Sequence, residues 1–315
     1  MRFSTPSSPP TSRLASRPSD RRVTVNRAVI AAAADRLTAA GVESPRVDAE
    51  LLVAHVLGVD RGRLVAADDL TDPQAAQLDS LLDRRAAREP LQHILGSASF
   101  GPVDLAVGPG VFVPRPETEA ILEWAYAVCV GLDRPRVVDL CSGSGALAIA
   151  VATTVSDAGV VAVENDPDAL IWLRANVARV GDAVRRRLSV VAGDVRDRHL
   201  LAPGTVDVVV ANPPYVPEGA DLSPEVVEHD PAIAVFGGVD GMSVITPMIG
   251  LITRALVPGG RCAIEHDDTT ADLVVAELRR HGAFDQIEAH ADLTGRPRFV
   301  TARRTAEAAG DDVQG

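Results

Sequence analysis

From about Glu119 to Arg303 the chain alternates between two periodicities, and this limits the possible folds more than any other feature. Short runs dense in Val, Ile and Ala fall at 136–141, 160–165, 188–193, 206–212, 261–266 and 296–303. Their length and β-branched content suit buried strands. Between them, at 146–154, 168–179, 242–256 and 271–280, apolar residues recur every three or four positions, as in amphipathic helices. Asp240 stands ahead of the third helix as a cap. Strands alternating with helices predict an α/β fold with a doubly wound, mostly parallel sheet. In that architecture, ligands bind beyond the carboxyl ends of the strands.

The rest of the chain is organised differently. Residues 25–88 carry helical spacing, with Val29, Ala33 and Leu37, then Ala49, Leu52, Val53 and Val56, and then Leu78, Leu81 and Leu82. Gly41 and Gly58 break the run, and Asp72-Pro73 opens another helix. The expected domains are a small helical bundle over 23–94, a Gly- and Pro-rich hairpin connector over 95–118, and the α/β domain over 119–305. Residues 306–315 read as a tail. So do residues 1–22, which are rich in Ser and Pro, carry five Arg against one Asp, and lack the apolar stretch of a secretory signal.

Several function classes recede on composition alone. No apolar run approaches the ~18 residues of a membrane span. Cys129, Cys141 and Cys262 have no paired spacing, so neither a disulfide framework nor a zinc site is expected, and a reducing cytoplasmic compartment fits. His266, with Asp267 and Asp268, reads as solvated rather than metal-binding, and His229 as a surface residue. The net charge is −12, and the basic N-terminal arm leaves the remainder more acidic still. Phosphate-gripping proteins usually show the opposite sign, so direct nucleic-acid binding is not expected.

The first strand of the α/β region runs into Asp139-Leu140-Cys141-Ser142-Gly143-Ser144-Gly145. Glycines here let the backbone approach a ligand closely. About 20 residues past this loop the second strand ends in Glu164, placed to accept ribose hydroxyls. Gly143, Gly145 and Ala148 also match the dinucleotide fingerprint, so a nicotinamide dehydrogenase competes at this point. Asp139, inside a buried strand, would hold the loop or an amino group of the cofactor. Asp194, at the end of the third strand, would neighbour an adenine ring or cap a helix.

The fourth strand runs straight into Asn212-Pro213-Pro214-Tyr215. First and fourth strands are neighbours across the switch point of such a sheet, so this tetrapeptide and the Gly143 loop should share one crevice. Two prolines stiffen the backbone and remove two donors. The Asn212 side-chain oxygen and the Pro213 carbonyl remain as a rigid pair of acceptors, suited to an NH2 group. Tyr215 would offer a flat face to a planar group or a sulfonium-bound methyl. A dehydrogenase leaves this tetrapeptide without a role. The loop from 216 to 239 is long enough to be a substrate lid.

With these residues in place, the chain resembles the bacterial protein release factor glutamine methyltransferases of the HemK type, from about residue 25 to 304. The resemblance rests on the tetrapeptide, the Gly143 loop and the hexapeptide Pro114-Arg115-Pro116-Glu117-Thr118-Glu119. Arg88-Glu89-Pro90-Leu91-Gln92, Ile94-Leu95-Gly96 and Phe236-Gly237-Gly238-Val239-Asp240-Gly241 also look like the family. The tetrapeptide alone is shared with adenine-N6 DNA methyltransferases, and a ribosomal protein glutamine methyltransferase would use it too. The resemblance implies a Rossmann-like class I methyltransferase domain joined by a β-hairpin to an N-terminal helical domain that binds substrate. It implies S-adenosylmethionine as cofactor and, as partner and substrate, the glutamine of the Gly-Gly-Gln loop in class 1 peptide chain release factors. It also implies that Ser142, Gly143, Gly145, Glu164 and the Val195 backbone contact the cofactor, with Asp139, Cys141, Ser144, Asp194 and Asn212 beside them. Asn212, Pro213 and Tyr215 are the expected catalytic residues, and with Pro214 they would hold the glutamine. His93 stands where an aromatic is usual, Glu164 where aspartate is commoner, and Val195 where some relatives carry tryptophan.

Overall fold

The computed structural model describes residues 18–292 and 295–306, the first nine of them as backbone only. Its contacts divide the chain into two units, one ending at Arg88 and one beginning at Glu89.

In the first unit, α1 (Pro18–Ala39), α2 (Pro45–Leu57) and α3 (Asp72–Ala86) surround Leu37, Ala49, Leu52, Val53, Leu78 and Leu82, all buried. Each of these Leu and Val side chains contributes roughly 1.5–3 kcal/mol. Local chemistry sets the helix ends. Gly58, at φ 66°, closes α2 by donating to the carbonyls of Ala54 and His55. Thr71 and Gln74 form a capping box at the start of α3. A buried Arg85–Asp48 pair, 2.8 Å apart, ties α3 to α2. Helical backbone begins at Pro18, earlier than the Val23 at which the folded chain was expected to start. Proline suits a first turn, whose N–H groups have no helical partner. The rest of the expected N-terminal tail, and residues 307–315, lie outside the described residues.

The second unit opens with α4 (Leu91–Leu95), a turn of helix expected in the bundle. It stays with the second unit because Leu91, His93 and Ile94 are buried there and His93 Nε2 lies 3.3 Å from the Val111 carbonyl. The hairpin β1 (Ser97–Phe100) and β2 (Val103–Ala106) follows, antiparallel, where the connector was expected. Next come α5 (Glu119–Cys129), β3 (Arg136–Leu140), α6 (Ala146–Thr154), β4 (Gly159–Glu164), α7 (Pro167–Arg179), α8 (Asp182–Arg185), β5 (Leu188–Ala192) and β6 (Val206–Ala211). The short α9 (Pro224–His229) and α10 (Ala232–Val235) precede α11 (Ile245–Ala255), β7 (Leu256–Glu265), α12 (Ala271–His281), β8 (Phe284–Ala291) and β9 (Pro297–Arg304).

The sheet order is β5-β4-β3-β6-β7-β9-β8. Strands β5 to β7 are parallel, while β9 runs antiparallel to β7 and β8 antiparallel to β9. Alternation along each strand feeds two apolar layers. Val137, Val208 and Val210 face a layer with Ile121, Leu147 and Leu173. Val138, Val209 and Ala211 face another with Ile245, Met248, Val274 and Leu278. The pairing Leu140↔Ala211 ends β3 and β6 at one level, so the loops leaving them start side by side. α11 begins at Ile245 rather than Met242, although the Asp240 carboxylate does accept from Met242 N at 3.0 Å.

Candidate active site

β3 delivers the glycine loop. Ser142 N donates to Val163 O (2.9 Å) and Ser142 Oγ to Asp139 O (3.0 Å), folding the loop back over the strand ends. Cys141 sits at φ 61°, a left-handed conformation that costs a side-chain-bearing residue about 1–3 kcal/mol. Its thiol is held well above the ordinary range by burial. Gly143, at φ 55°, has open space where a Cβ would be, so the backbone there is free for close approach. Gly145 has a different job from the one expected. A Cβ on it would fall 2.7 Å from Leu173 Cδ1, so it serves the packing of loop on helix and does not line the cavity.

Glu164 is buried and heavily engaged. Oε2 accepts from Gly143 N (2.8 Å), and Oε1 from Asn165 N and Asp166 N (2.8 and 2.9 Å). A carboxylate has about four acceptor positions, so Oε2 keeps one for a ligand hydroxyl. Asp139 holds the start of α6 by accepting from Ala148 N at Oδ2 (3.1 Å). Its buried Oδ1 has no partner, and burial pushes its carboxyl up to about 7. Asp194 does not cap a helix. Its carboxylate grips Arg196, with Nε and Nη2 at 3.0 and 2.7 Å, which holds it below the usual carboxylate range.

Asn212 and Pro214 line the same cavity as Cys141, Ser142, Gly143, Ser144 and Glu164, with Asp139, Asp194 and Val195 also in its wall. The two loops therefore share one crevice, of about 260 Å³. Asn212 Nδ2 donates to Thr118 Oγ1 (3.1 Å), which leaves Oδ1 to accept from a substrate. Tyr215 departs from expectation. Neither its ring nor buried Pro213 is in the cavity wall, and its hydroxyl donates to Glu265 Oε1 (2.8 Å) at the end of β7. Burial and the neighbouring Glu265 carboxylate keep that hydroxyl well above its ordinary pKa.

The family-like glycines at 237–241 have a steric reason. A Cβ on Gly241 would lie 2.3 Å from Tyr215 O, and one on Gly237 2.8 Å from Pro214 O. The turn thus closes directly on the tetrapeptide backbone. Val216 N to Val235 O (3.0 Å) and Gly237 N to Val216 O (2.9 Å) fasten the two ends of the 216–239 loop together.

The cavity wall also contains residues to which the sequence gave no site role. Phe100, Phe112 and Pro114 come from the hairpin and connector, and Pro231, Ile233 and Phe236 from the 216–239 loop. Arg115 Nη2 holds buried Asp230 Oδ2 at 2.6 Å, with its guanidinium 4.8 Å over the Phe112 ring, so it ties the connector to the 216–239 loop. Glu119 Oε1 accepts from Gly101 N (3.1 Å) at the hairpin turn. The dense family-like motifs at 114–119 and 236–241 were the available signal. His266, expected to be solvated, is fully buried, with Nδ1 against the Asp267 carbonyl. Among the described residues no group of three His, Cys, Asp or Glu is placed to hold a metal, and no helix is long and apolar enough to cross a membrane.

S-adenosylmethionine fits this set. Asp139 Oδ1 is buried without a partner and would accept from the cofactor's α-ammonium, and Glu164 has an acceptor position that a ribose hydroxyl would use.

Two family models match the chain: the PrmC N-terminal domain over residues 28–96 and the methyltransferase small domain over 127–230. The release factor glutamine methyltransferase of Mycolicibacterium smegmatis is 55% identical, with 89% of this chain and 98% of that protein covered. Its counterpart from Corynebacterium glutamicum is 51% identical over 85% and 95%. That from Deinococcus radiodurans is 41% identical over 88% and 98%. With identity at this level over nearly the full length of these relatives, the chain belongs to the release factor glutamine methyltransferase family and is an S-adenosylmethionine-dependent methyltransferase.

Proposed function

We propose that the protein methylates the side-chain amide nitrogen, N5, of the glutamine in the Gly-Gly-Gln motif of class 1 peptide chain release factors. The observation that carries this reading is the Asn212 carboxamide. It lines the cofactor cavity with Nδ2 committed to Thr118, so its oxygen is the atom left for an incoming NH2 group. The names of the relatives supply the release factor as substrate. The helical unit, which matches the PrmC N-terminal domain, is the proposed release factor-binding part, and the proposed compartment is the cytoplasm, which three free cysteines fit.

An amide nitrogen is a weak nucleophile because its lone pair is conjugated, as the ~18–20 kcal/mol rotation barrier shows. Two hydrogen bonds of ~1–3 kcal/mol cannot undo that. Holding two reactants in line supplies up to ~7–11 kcal/mol. S-adenosylmethionine, when bound, supplies the electrophilic methyl carbon. The work of Asn212 is to aim the nitrogen by accepting from one of its N–H groups. Transfer first gives the N-methylated amide cation and the neutral thioether; the cation is a strong acid and gives its extra proton to an acceptor or to water, so no strong base is required.

Incubation of the protein with methyl-labelled cofactor and a purified class 1 release factor tests the reading. Label on the glutamine of Gly-Gly-Gln, located by peptide mass spectrometry, is the expected result. Label on another residue, or transfer to ribosomal protein instead, would overturn it.

A further inference from the structure

The 216–239 loop supplies part of the cavity wall, yet little of its own structure holds it there. Its helix α9 buries no side chain. Among the described residues, the backbone hydrogen bonds of residues 217–236 all have partners in the same loop. Asp230, which follows α9, reaches outside it. Its side chain is fully buried, and Oδ2 accepts from Arg115 Nη2 at 2.6 Å. Arginine keeps its charge at any accessible pH, so this bond is charge-assisted whether or not Asp230 is ionised. Burial raises the Asp230 carboxyl above its ordinary value, and the Arg115 guanidinium pulls against that rise.

The other end of the tie is itself well placed. The Arg115 guanidinium lies 4.8 Å over the Phe112 ring, and the Arg115 carbonyl accepts from Thr118 N (3.2 Å). Thr118 in turn accepts from Asn212 Nδ2 (3.1 Å). One short stretch of connector therefore holds Asn212 through Thr118 and the loop through Arg115. Pro231, Ile233, Ala234 and Phe236, which come directly after Asp230, lie in the cavity wall with Phe112, Arg115 and Asn212. The residues expected at the cofactor, Gly143, Glu164 and Asp194, come instead from the ends of β3, β4 and β5. A buried ion pair is a weak source of stability, because apolar side chains of like volume usually do as well. What it adds here is direction, set by the planar fork of arginine.

We propose that Arg115 and Asp230 are positioning residues for the acceptor: their pair holds the 216–239 loop on the connector, so that Pro231, Ile233 and Phe236 stay in the wall around the substrate side chain. The proposal rests on the reading that the acceptor is a release factor glutamine held at Asn212. It gives the arginine of the hexapeptide a task in the reaction.

Two measurements on the full-length protein test it. The first is cleavage of the folded protein by a glutamate-specific protease, with the sites located by mass spectrometry. The loop offers Glu218, Glu225 and Glu228. Arg115→Met keeps an apolar stem but cannot donate. It should be cut after Glu225 or Glu228 about tenfold faster than the parent or more, the scale of losing a hydrogen bond to a charged group in a local opening equilibrium. The second is steady-state methyl transfer to a class 1 release factor, with cofactor affinity from calorimetry. Arg115→Met is expected to raise the KM for the release factor about tenfold or more. At saturation kcat should stay within about threefold, and the cofactor Kd within about twofold, because the lost interaction serves acceptor binding. Asp230→Leu, of similar shape and unable to accept, should show the same split. The double variant should be no worse than the worse single one, since the two residues act as one unit.

Parent-like cleavage and KM in Arg115→Met, a KM and a cofactor Kd that rise together, or losses that multiply in the double variant would each overturn the proposal. Should a single variant fail to fold by circular dichroism, the double variant decides, because it leaves no polar group unpaired. Parent-like protease resistance and KM in the folded double variant would overturn the proposal. A parent enzyme that does not label the release factor defeats the underlying reading, whatever the protease shows. A labelled release factor with an unchanged KM in Arg115→Met defeats the positioning role alone.

Discussion

Asn212 and Glu164 stand on opposite sides of one cavity, and their substitutions should separate acceptor from cofactor. Asn212→Ala is expected to lower transfer by about 100- to 1,000-fold, the range for losing one preorganised hydrogen-bonding group at a reacting centre. Cofactor affinity should change little. Glu164→Ala should weaken the cofactor itself, because it strips the support of Gly143, Asn165 and Asp166 as well as the ribose acceptor. Calorimetry beside a labelled-methyl assay distinguishes the two; matching losses in both variants would contradict the division. Asp139 adds a pH dependence. Its carboxyl lies at about 7 in the fold, raised mainly by burial and further by Glu164. Only the ionised form pairs well with an ammonium group, so cofactor affinity should fall up to about tenfold per unit as pH drops below about 7. Stability of the ligand-free protein should move the other way. An acid whose folded value exceeds its unfolded value of about 4 holds its proton longer in the fold, so its contribution declines as pH rises from about 4 to about 7. Titrations at about pH 6 and about pH 8 check the first sign, and melting curves the second. The sequence disclosed Glu164 and Asn212 because a type and a spacing were enough. It could not disclose the packing of Gly145 on Leu173 or the hydrogen bond of Tyr215 to Glu265, because those partners lie far away along the chain.

At the level of elements, most strands and helices were legible because apolar periodicity survives wherever a face is fully buried. The helix 146–154 and the strands leading to Leu140, Glu164 and Ala211 fall where the pattern put them. β8 was not legible. It is an edge strand with only Phe284 fully buried and polar residues on both faces, so it lacks strict alternation. α5, between the connector and the first strand, was not among the helices expected from periodicity. One side chain joins several elements at the site. Asn176 of α7 exchanges hydrogen bonds with Ala106 N (2.8 Å) and Ala106 O (3.0 Å) at the edge of β2, and donates to Ser144 O (2.9 Å) in the glycine loop. Asn176→Ala leaves these buried groups unpaired at a cost of about 1–3 kcal/mol each. The melting temperature should fall by several degrees and the cofactor should bind more weakly. An unchanged melt would show that the hairpin is held by packing alone.

On the scale of the molecule, α/β alternation predicted the sheet but not its final order. β9 lies between β7 and β8, so the last strand of the sheet in sequence is not the last in space. It brings Phe299 to one apolar layer and Val300 and Ala302 to the other, and the Arg298 carbonyl accepts from His266 N (3.0 Å) beside Glu265. A chain stopped before Pro297 should therefore lose cooperative unfolding, bind hydrophobic dyes and fail to methylate; a sharp thermal transition would refute this. The consequence reaches into biosynthesis. A polypeptide emerges amino-terminus first, and here a late-made ribbon must slide into a slot prepared by earlier ones. Until then Tyr215 and Glu265 lack the wall behind them, so the nascent enzyme is inert while its own translation is still under way.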